Sequence, residues 1–207
     1  MQGTVEIVSI GIDQARIFSR LTPHFPLKRG SFVSIRASAD PLGLPPFVQL
    51  VGAVALLSPL SVAAGAFLKR LAENAADALW KAIERSFSRR DSREAALAEL
   101  VASLVEARSN MGDAGRVIFG LSFPQSQWGT VVVVRENDAR KIASAVAGFI
   151  ARVDDIFRLI EAEIAAGTKP WGYVEVEIGD GRATAIRWID QNFAQQVRAL
   201  PQLEPQQ

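Results

Sequence analysis

Cysteine is absent from this chain of 207 residues. That excludes disulfides, thiol nucleophiles, iron–sulfur clusters and cysteine-ligated zinc. Histidine occurs once, as His24, so no motif built on two imidazoles is available, H-E-x-x-H among them. Lysine is scarce, with five against 18 arginines; together with abundant alanine, that imbalance is expected of a GC-rich bacterial genome rather than of a function. Excess charge is lacking as well. The 23 basic and 22 acidic residues leave a net charge of +1, so nucleic acid is not an expected partner. There is no glycine-rich phosphate loop, no G-x-G-x-x-G and no G-x-S-x-G, hence no legible nucleotide cradle or nucleophile elbow. Met1–Ile12 does not read as a secretory signal, because Glu6 interrupts it and no basic start precedes an apolar core. No cofactor, metal site or catalytic residue is expected.

What is present is ordinary in bulk: 49% hydrophobic and 22% charged residues, the composition of a folded domain. Thr4–Ile12 is rich in β-branched residues and predicts a strand, followed by a short helix over Gln14–Leu21 that Pro23 and Pro26 close. Ser31–Ser38 alternates and predicts a half-buried strand. A helix is expected from Leu68 to about Phe87. A second begins at Asp91 or Ser92, with Leu97, Leu100, Val101, Leu104 and Val105 on one stripe, and ends at Asn110–Asp113. Arg116–Phe123 and Thr130–Glu136 read as strands joined by Pro124–Gly129, with Thr130–Val134 apolar enough to lie centrally in a sheet. Asp138 caps one long helix to about Ala166, which Gly167 ends. Tyr173–Ile178 and Ala183–Ile189 form a hairpin around a three-residue loop, Gly179-Asp180-Gly181. Its spacing places Val174, Val176, Ile186 and Trp188 on one face and Glu175, Glu177 and Arg187 on the other. These elements predict an α+β fold: a mostly antiparallel sheet built from hairpins, with three or four helices. The expected organisation is one domain over residues 1–200 with a hydrophobic helical insertion at about 41–90 and a flexible tail at 201–207.

One stretch stands apart. Pro41–Leu68 holds no charged residue over 28 positions. Its core, Phe47–Leu68, would make a helix about 33 Å long, enough for a bilayer core of roughly 30 Å, and Lys69-Arg70 follows as a basic flank. Against a span, Ser58-Pro59 is a helix-start signature that would divide the segment into a broken helical hairpin, and no Trp or Tyr marks its ends. The segment is therefore expected to be helical or a broken helical hairpin. Phe47, Val48, Leu50, Val51, Val54, Leu56, Leu57, Leu60, Val62, Phe67 and Leu68 are its candidate membrane or self-assembly residues.

The expected function is that of a non-enzymatic protein acting through this segment by membrane association or self-assembly. The partners implied are membrane lipid, a second copy of the chain or another protein. The expected location is the cytoplasm, peripheral to or associated with the inner membrane. One alternative is a soluble binding or adaptor module with the segment buried in its core. Another is a carboxylate-dependent, metal-assisted enzyme using Glu175 and Glu177, which share a strand face. Arg85, Arg89, Arg90 and Arg93 form a weak candidate patch for an anionic ligand, diluted by Glu84, Asp91 and Glu94. Of the four tryptophans, Trp128 in its polar turn is the expected exposed contact residue; Trp80, Trp171 and Trp188 are expected in the core or at hinges.

Overall fold

In the computed structural model, residues 4–10, 14–29, 47–73, 92–122, 129–135, 137–168, 170–171 and 173–201 are described. The expected strand over Ser31–Ser38, the helix beyond Glu73, Trp80, Trp128 and most of the tail lie outside them. The described elements are β1 (Val5–Ile10), α1 (Gln14–Leu21), β2 (Leu27–Arg29), β3 (Phe47–Ala53), α2 (Val54–Leu57), a 3-10 turn (Ser58–Leu60), α3 (Ser61–Glu73), α4 (Ser92–Ser109), β4 (Arg116–Ser122), β5 (Gly129–Val134), α5 (Ala139–Ala151), α6 (Val153–Ala165), β6 (Val174–Gly179), β7 (Arg182–Ile189) and β8 (Gln195–Ala199). The eight strands form one sheet in the order β2-β1-β3-β4-β5-β6-β7-β8.

The sheet is mixed, so the expectation of a mostly antiparallel sheet built from hairpins is matched in part: β1–β3, β4–β5, β6–β7 and β7–β8 are antiparallel. β4–β5 and β6–β7 are antiparallel neighbours as expected, but β1–β2, β3–β4 and β5–β6 pair in parallel. A parallel pair needs a crossover of a dozen or more residues, and each of these pairs has helix between its strands in the chain. Alternation along the strands then sorts side chains to two faces. Val5, Ile7, Val48, Leu50, Val117, Phe119, Val132, Val174 and Ile186 lie on the face that joins the helices in one core. On the opposite face Val51, Ile118, Val133, Glu175, Glu177 and Arg187 are half-buried.

The uncharged segment is where the structure departs most from the helical expectation. Phe47–Ala53, the first seven residues of its core, are β3, paired to β1 on one side and β4 on the other. Val48 and Leu50 are buried beneath the helices, and Gln49 is buried on the other face. A continuous apolar run fits a central strand covered on both sides as well as it fits a helix, and two flanking strands decide for the strand. The chain turns at Ala53, still extended at φ −71 and ψ 145, and is helical in character from Val54. Ser58 is itself helical, φ −54 and ψ −43, so the Ser58-Pro59 pair does not start the helix. Pro59 lacks the N–H that an α-helix would use there, and the local answer is the 3-10 turn. The Ser58 hydroxyl instead donates to Asp154 Oδ2 at 3.0 Å, tying this stretch to α6. Val54–Leu71 remains long and apolar enough to cross a membrane by length and composition, with a mean hydropathy of 1.4 and a third of its residues buried.

The expected long helix after Asp138 is two helices. Asp138 caps the first, accepting from the Arg140 and Lys141 amides. Arg152 breaks the run at φ −114 and ψ 13. This buried residue donates from Nε to Asp155 Oδ2 at 2.6 Å and from Nη2 to the Pro201 carbonyl at 2.6 Å, so the break anchors the end of the sheet. The apolar stripe runs on through it, with Ile142, Val146, Phe149, Ile150, Val153, Ile156 and Ile160 all buried. Beyond α6, Gly167 takes φ +87. Its amide donates to Ile164 O and that of Thr168 to Glu163 O, closing the helix as the glycine predicted.

Arg108 is the largest fully buried side chain of the described residues. It ends α4 and donates to the carbonyls of Gly112 at 2.6 Å, Asp113 at 3.3 Å and Arg135 at 2.9 Å. The negative end of the helix dipole adds to those carbonyls, and the cation staples the α4–β4 loop to the end of β5. R108M removes the charged donor that these three carbonyls share; the expected loss is about 1.5–3 kcal/mol, read from the urea midpoint at unchanged m-value. Gly148 on α5 lies so close to the β6–β7 turn that a Cβ would strike the Gly181 carbonyl. G148A is expected to lose about 1–3 kcal/mol through overpacking, measured in the same way.

Candidate interaction surface

The hairpin β6–β7 turns in two residues rather than three. Asp180 and Gly181 both have positive φ, 50 and 72, and Gly179 pairs with Arg182. A register shift between Glu177 and Ile178 absorbs the difference, so Val174, Val176, Ile186 and Trp188 still share the buried face. On the opposite face Arg187 bridges both carboxylates, 2.7 Å from Glu175 and 3.5 Å from Glu177. The Glu175 hydrogen bond and its charge hold the guanidinium pKa above its ordinary value, with Glu177 adding to them. One cation clamps the two acids side by side on a half-exposed strand face, an arrangement that neutralises charge rather than opening a ligand site. Among the described residues no three acidic or histidine side chains are grouped to hold a metal.

Past β7, Asp190 folds the chain back to make β8, a strand absent from the sequence reading. Its Oδ1 accepts from the Asn192 amide at 2.8 Å and the Ala194 amide at 2.9 Å, and Oδ2 from Gln196 Nε2 at 2.9 Å. The bond from Ala194, with those from Gln196 and Asn192, holds the Asp190 pKa below its ordinary value against the opposing effect of burial. The turn forces Phe193 to φ 60 and leaves it 74% exposed. The Trp171 amide donates to the Ile189 carbonyl at 2.6 Å. That bond sets the indole, 58% exposed, against Phe193 with ring centroids 5.5 Å apart. Ile189 and Val197 are diagonal neighbours on the same sheet face, since Arg187 pairs with Val197 and Ile189 with Gln195, and both are exposed. Trp171, Ile189, Phe193 and Val197 thus form one apolar patch at the β7–β8 end of the sheet.

The candidate segment residues do not make such a surface. Val48, Leu50, Leu57, Leu60 and Phe67 are buried in the core; Val51, Val54, Leu56 and Leu68 are half-buried; Val62 alone is open, at 81%. Phe47 is placed in β3 by its backbone. Arg85, Arg89 and Arg90 lie outside the described residues, and Arg93 is exposed in the first turn of α4. Of the two described tryptophans, Trp171, expected in the core or at a hinge, is exposed, while Trp188 is buried as expected. The patch had a faint sequence signal: Ile189, Phe193 and Val197 recur every fourth residue in an otherwise polar stretch, a spacing that suggests helix and conceals the turn.

Because the Asp190 pKa is lowered by folding, its contribution is present above the ordinary value of 3.8 and is lost as pH falls through the depressed one. Acidification from about pH 5 to about pH 3 is therefore expected to destabilise the fold partly through this turn. D190N, which cannot accept from Gln196 in the same way, is expected to show a shallower pH dependence. Urea titrations at successive pH values measure the difference.

Comparison of the chain with protein-family models, with curated proteins and with solved structures gave no match.

Proposed function

We propose that the chain is a non-catalytic binding module that makes contact through the apolar patch at the β7–β8 end of its sheet, its long uncharged segment serving as core. One observation carries the reading: Val48, Leu50, Leu57, Leu60, Phe67 and Leu71 are buried inside the fold, while Trp171, Ile189, Phe193 and Val197 are exposed. Buried residues at 57, 60, 64, 67 and 71 follow helical spacing, so withdrawing this stretch into a bilayer would remove part of the helical layer from the core. Fully burying each such leucine or phenylalanine is worth about 1.5–3 kcal/mol, a large fraction of a net stability of about 5–15 kcal/mol. An exposed aromatic pair beside two aliphatic residues has the composition of a contact hot spot. Glu175 and Glu177, each engaged by Arg187, give the enzymatic alternative little support.

A second reading is favoured by Val62 and by its exposed neighbours Ala55, Pro59, Gly65 and Ala66. They leave the outer side of Val54–Leu68 uncharged, with exposed Lys69 directly after it, a surface suited to lying on lipid without unpicking the core. Two substitutions separate the readings. L57D is expected to abolish folding, since it places an unpaired charge where Leu57 is fully buried, whereas V62D keeps the native circular dichroism spectrum. Full-length wild type mixed with vesicles of phosphatidylcholine and phosphatidylglycerol is expected to stay at the bottom of a flotation gradient. Flotation that V62D abolishes would overturn the binding-module reading in favour of the lipid-contacting one.

A further inference from the structure

Building on the binding-module reading, we infer that the occupant of this surface is a second copy of the chain, added through the outer edge of β8, which pairs with no other strand among the described residues. β8 is one end of the strand order, and its bonds to β7 use alternate residues. The Leu200 amide donates to the Thr184 carbonyl at 2.8 Å, and the Asp190 amide to that of Ala194 at 2.9 Å. Gln196 and Arg198 fall in the same phase, so Gln195, Val197 and Ala199 turn their backbone N–H and C=O groups outward. Edges of this kind are ordinarily blunted by lysine, proline, a bulge or a covering element. β8 reads Gln-Gln-Val-Arg-Ala. Its one charge, Arg198, points to the helical side, where Glu163 holds it at 2.7 and 3.2 Å. At Pro201 the chain has already turned toward the helices, its carbonyl accepting from Arg152.

This edge matches itself. Antiparallel pairing about a two-fold axis at Val197 sets Val197 against Val197 of the second copy, Gln195 against Ala199, Gln196 against Arg198 and Phe193 against Pro201. The three outward residues then exchange both backbone bonds with their counterparts. The Val197 carbonyl, which accepts from Arg198 Nη1 at 3.0 Å, has a second lone pair for this. Like charges do not meet: each Arg198 faces a glutamine, with Glu163 behind it. Exposed apolar groups meet at both ends, Phe193 over exposed Pro201, and at the centre. An edge whose one charge, Arg198, is already engaged by Glu163, and which is complementary to itself in register and apolar contact, is what selects a second copy over an unrelated strand.

The absence of cysteine makes the test specific. In a hydrogen-bonded antiparallel pair the two Val197 Cα atoms lie about 5.5 Å apart, within the disulfide range of about 4.4–6.8 Å. Gln195 lies roughly 14 Å from its own counterpart, four residues away along the strand. The full chain is expected to run by light scattering at twice its 22.4 kDa at micromolar concentration. V197C is expected to cross-link to that mass on mild oxidation, and Q195C is not. V197K is expected to be monomeric with an unchanged circular dichroism spectrum. A monomeric wild type, a dimer that survives V197K, or Q195C cross-linking as readily as V197C overturns the proposal. A monomer that also stays off vesicles leaves the binding-module reading standing with a different partner, whereas flotation removes that reading itself.

Discussion

One sheet face has to be covered by one layer of helices, and the rest of the structure follows from that burial. Eight strands present a row of Val, Leu, Ile and Phe side chains that water would otherwise meet. The uncharged run supplies parts of both layers. Val48 and Leu50 of β3 lie in the floor, and Leu57, Leu60, Ala64, Phe67 and Leu71 are drawn from the chain immediately after it to form part of the roof. The short connection at Ala53 allows this, because a strand leading directly into a helix folds the one back over the other. The lack of charge over so many residues is thus accounted for inside the fold: a strand between two others, then a helix whose inward side is buried.

Polar groups inside this arrangement are few and hold particular joints. Arg108 gathers three carbonyls where α4 gives way to β4. Arg152 joins the break between α5 and α6 to the chain end at Pro201. Asp190 organises the turn that creates β8. Each satisfies backbone groups that lack a partner in helix or strand, where an unpaired buried donor or acceptor is costly. Two of the three lie near the last strands, so the end of the sheet that carries the exposed patch is also held by specific bonds. A contact surface benefits from such anchoring, since rigid aromatic side chains lose little freedom on association.

The patch and the β8 edge belong to a single construction. The carboxylate that turns the chain at Asp190 pushes Phe193 outward, and the Trp171–Ile189 hydrogen bond brings the indole to meet it. The same turn leaves β8 at one end of the sheet, with one side unpaired among the described residues. Apolar side chains and free backbone groups are therefore presented together, the combination that strand addition uses.

Much of this was legible in the sequence where the signal is local. The caps at Asp138 and Gly167, the limits of α4, the paired faces of β6 and β7 and the Glu175–Glu177–Arg187 cluster all follow from residue spacing and turn chemistry, because the groups that decide them lie within a few residues or across one tight turn. What only the tertiary structure decided is pairing at a distance. Phe47–Ala53 is a strand because β1 and β4 lie on either side of it; an apolar run carries the same hydrophobicity in either conformation. The parallel pairs depend on helices that close a crossover, the break at Arg152 goes with a carbonyl 49 residues further along, and the exposed patch exists because Trp171, from the segment before β6, meets Phe193, from the turn after β7. Composition and periodicity state which side chains avoid water; which neighbour hides them is a choice among distant partners, made only when the whole layer assembles.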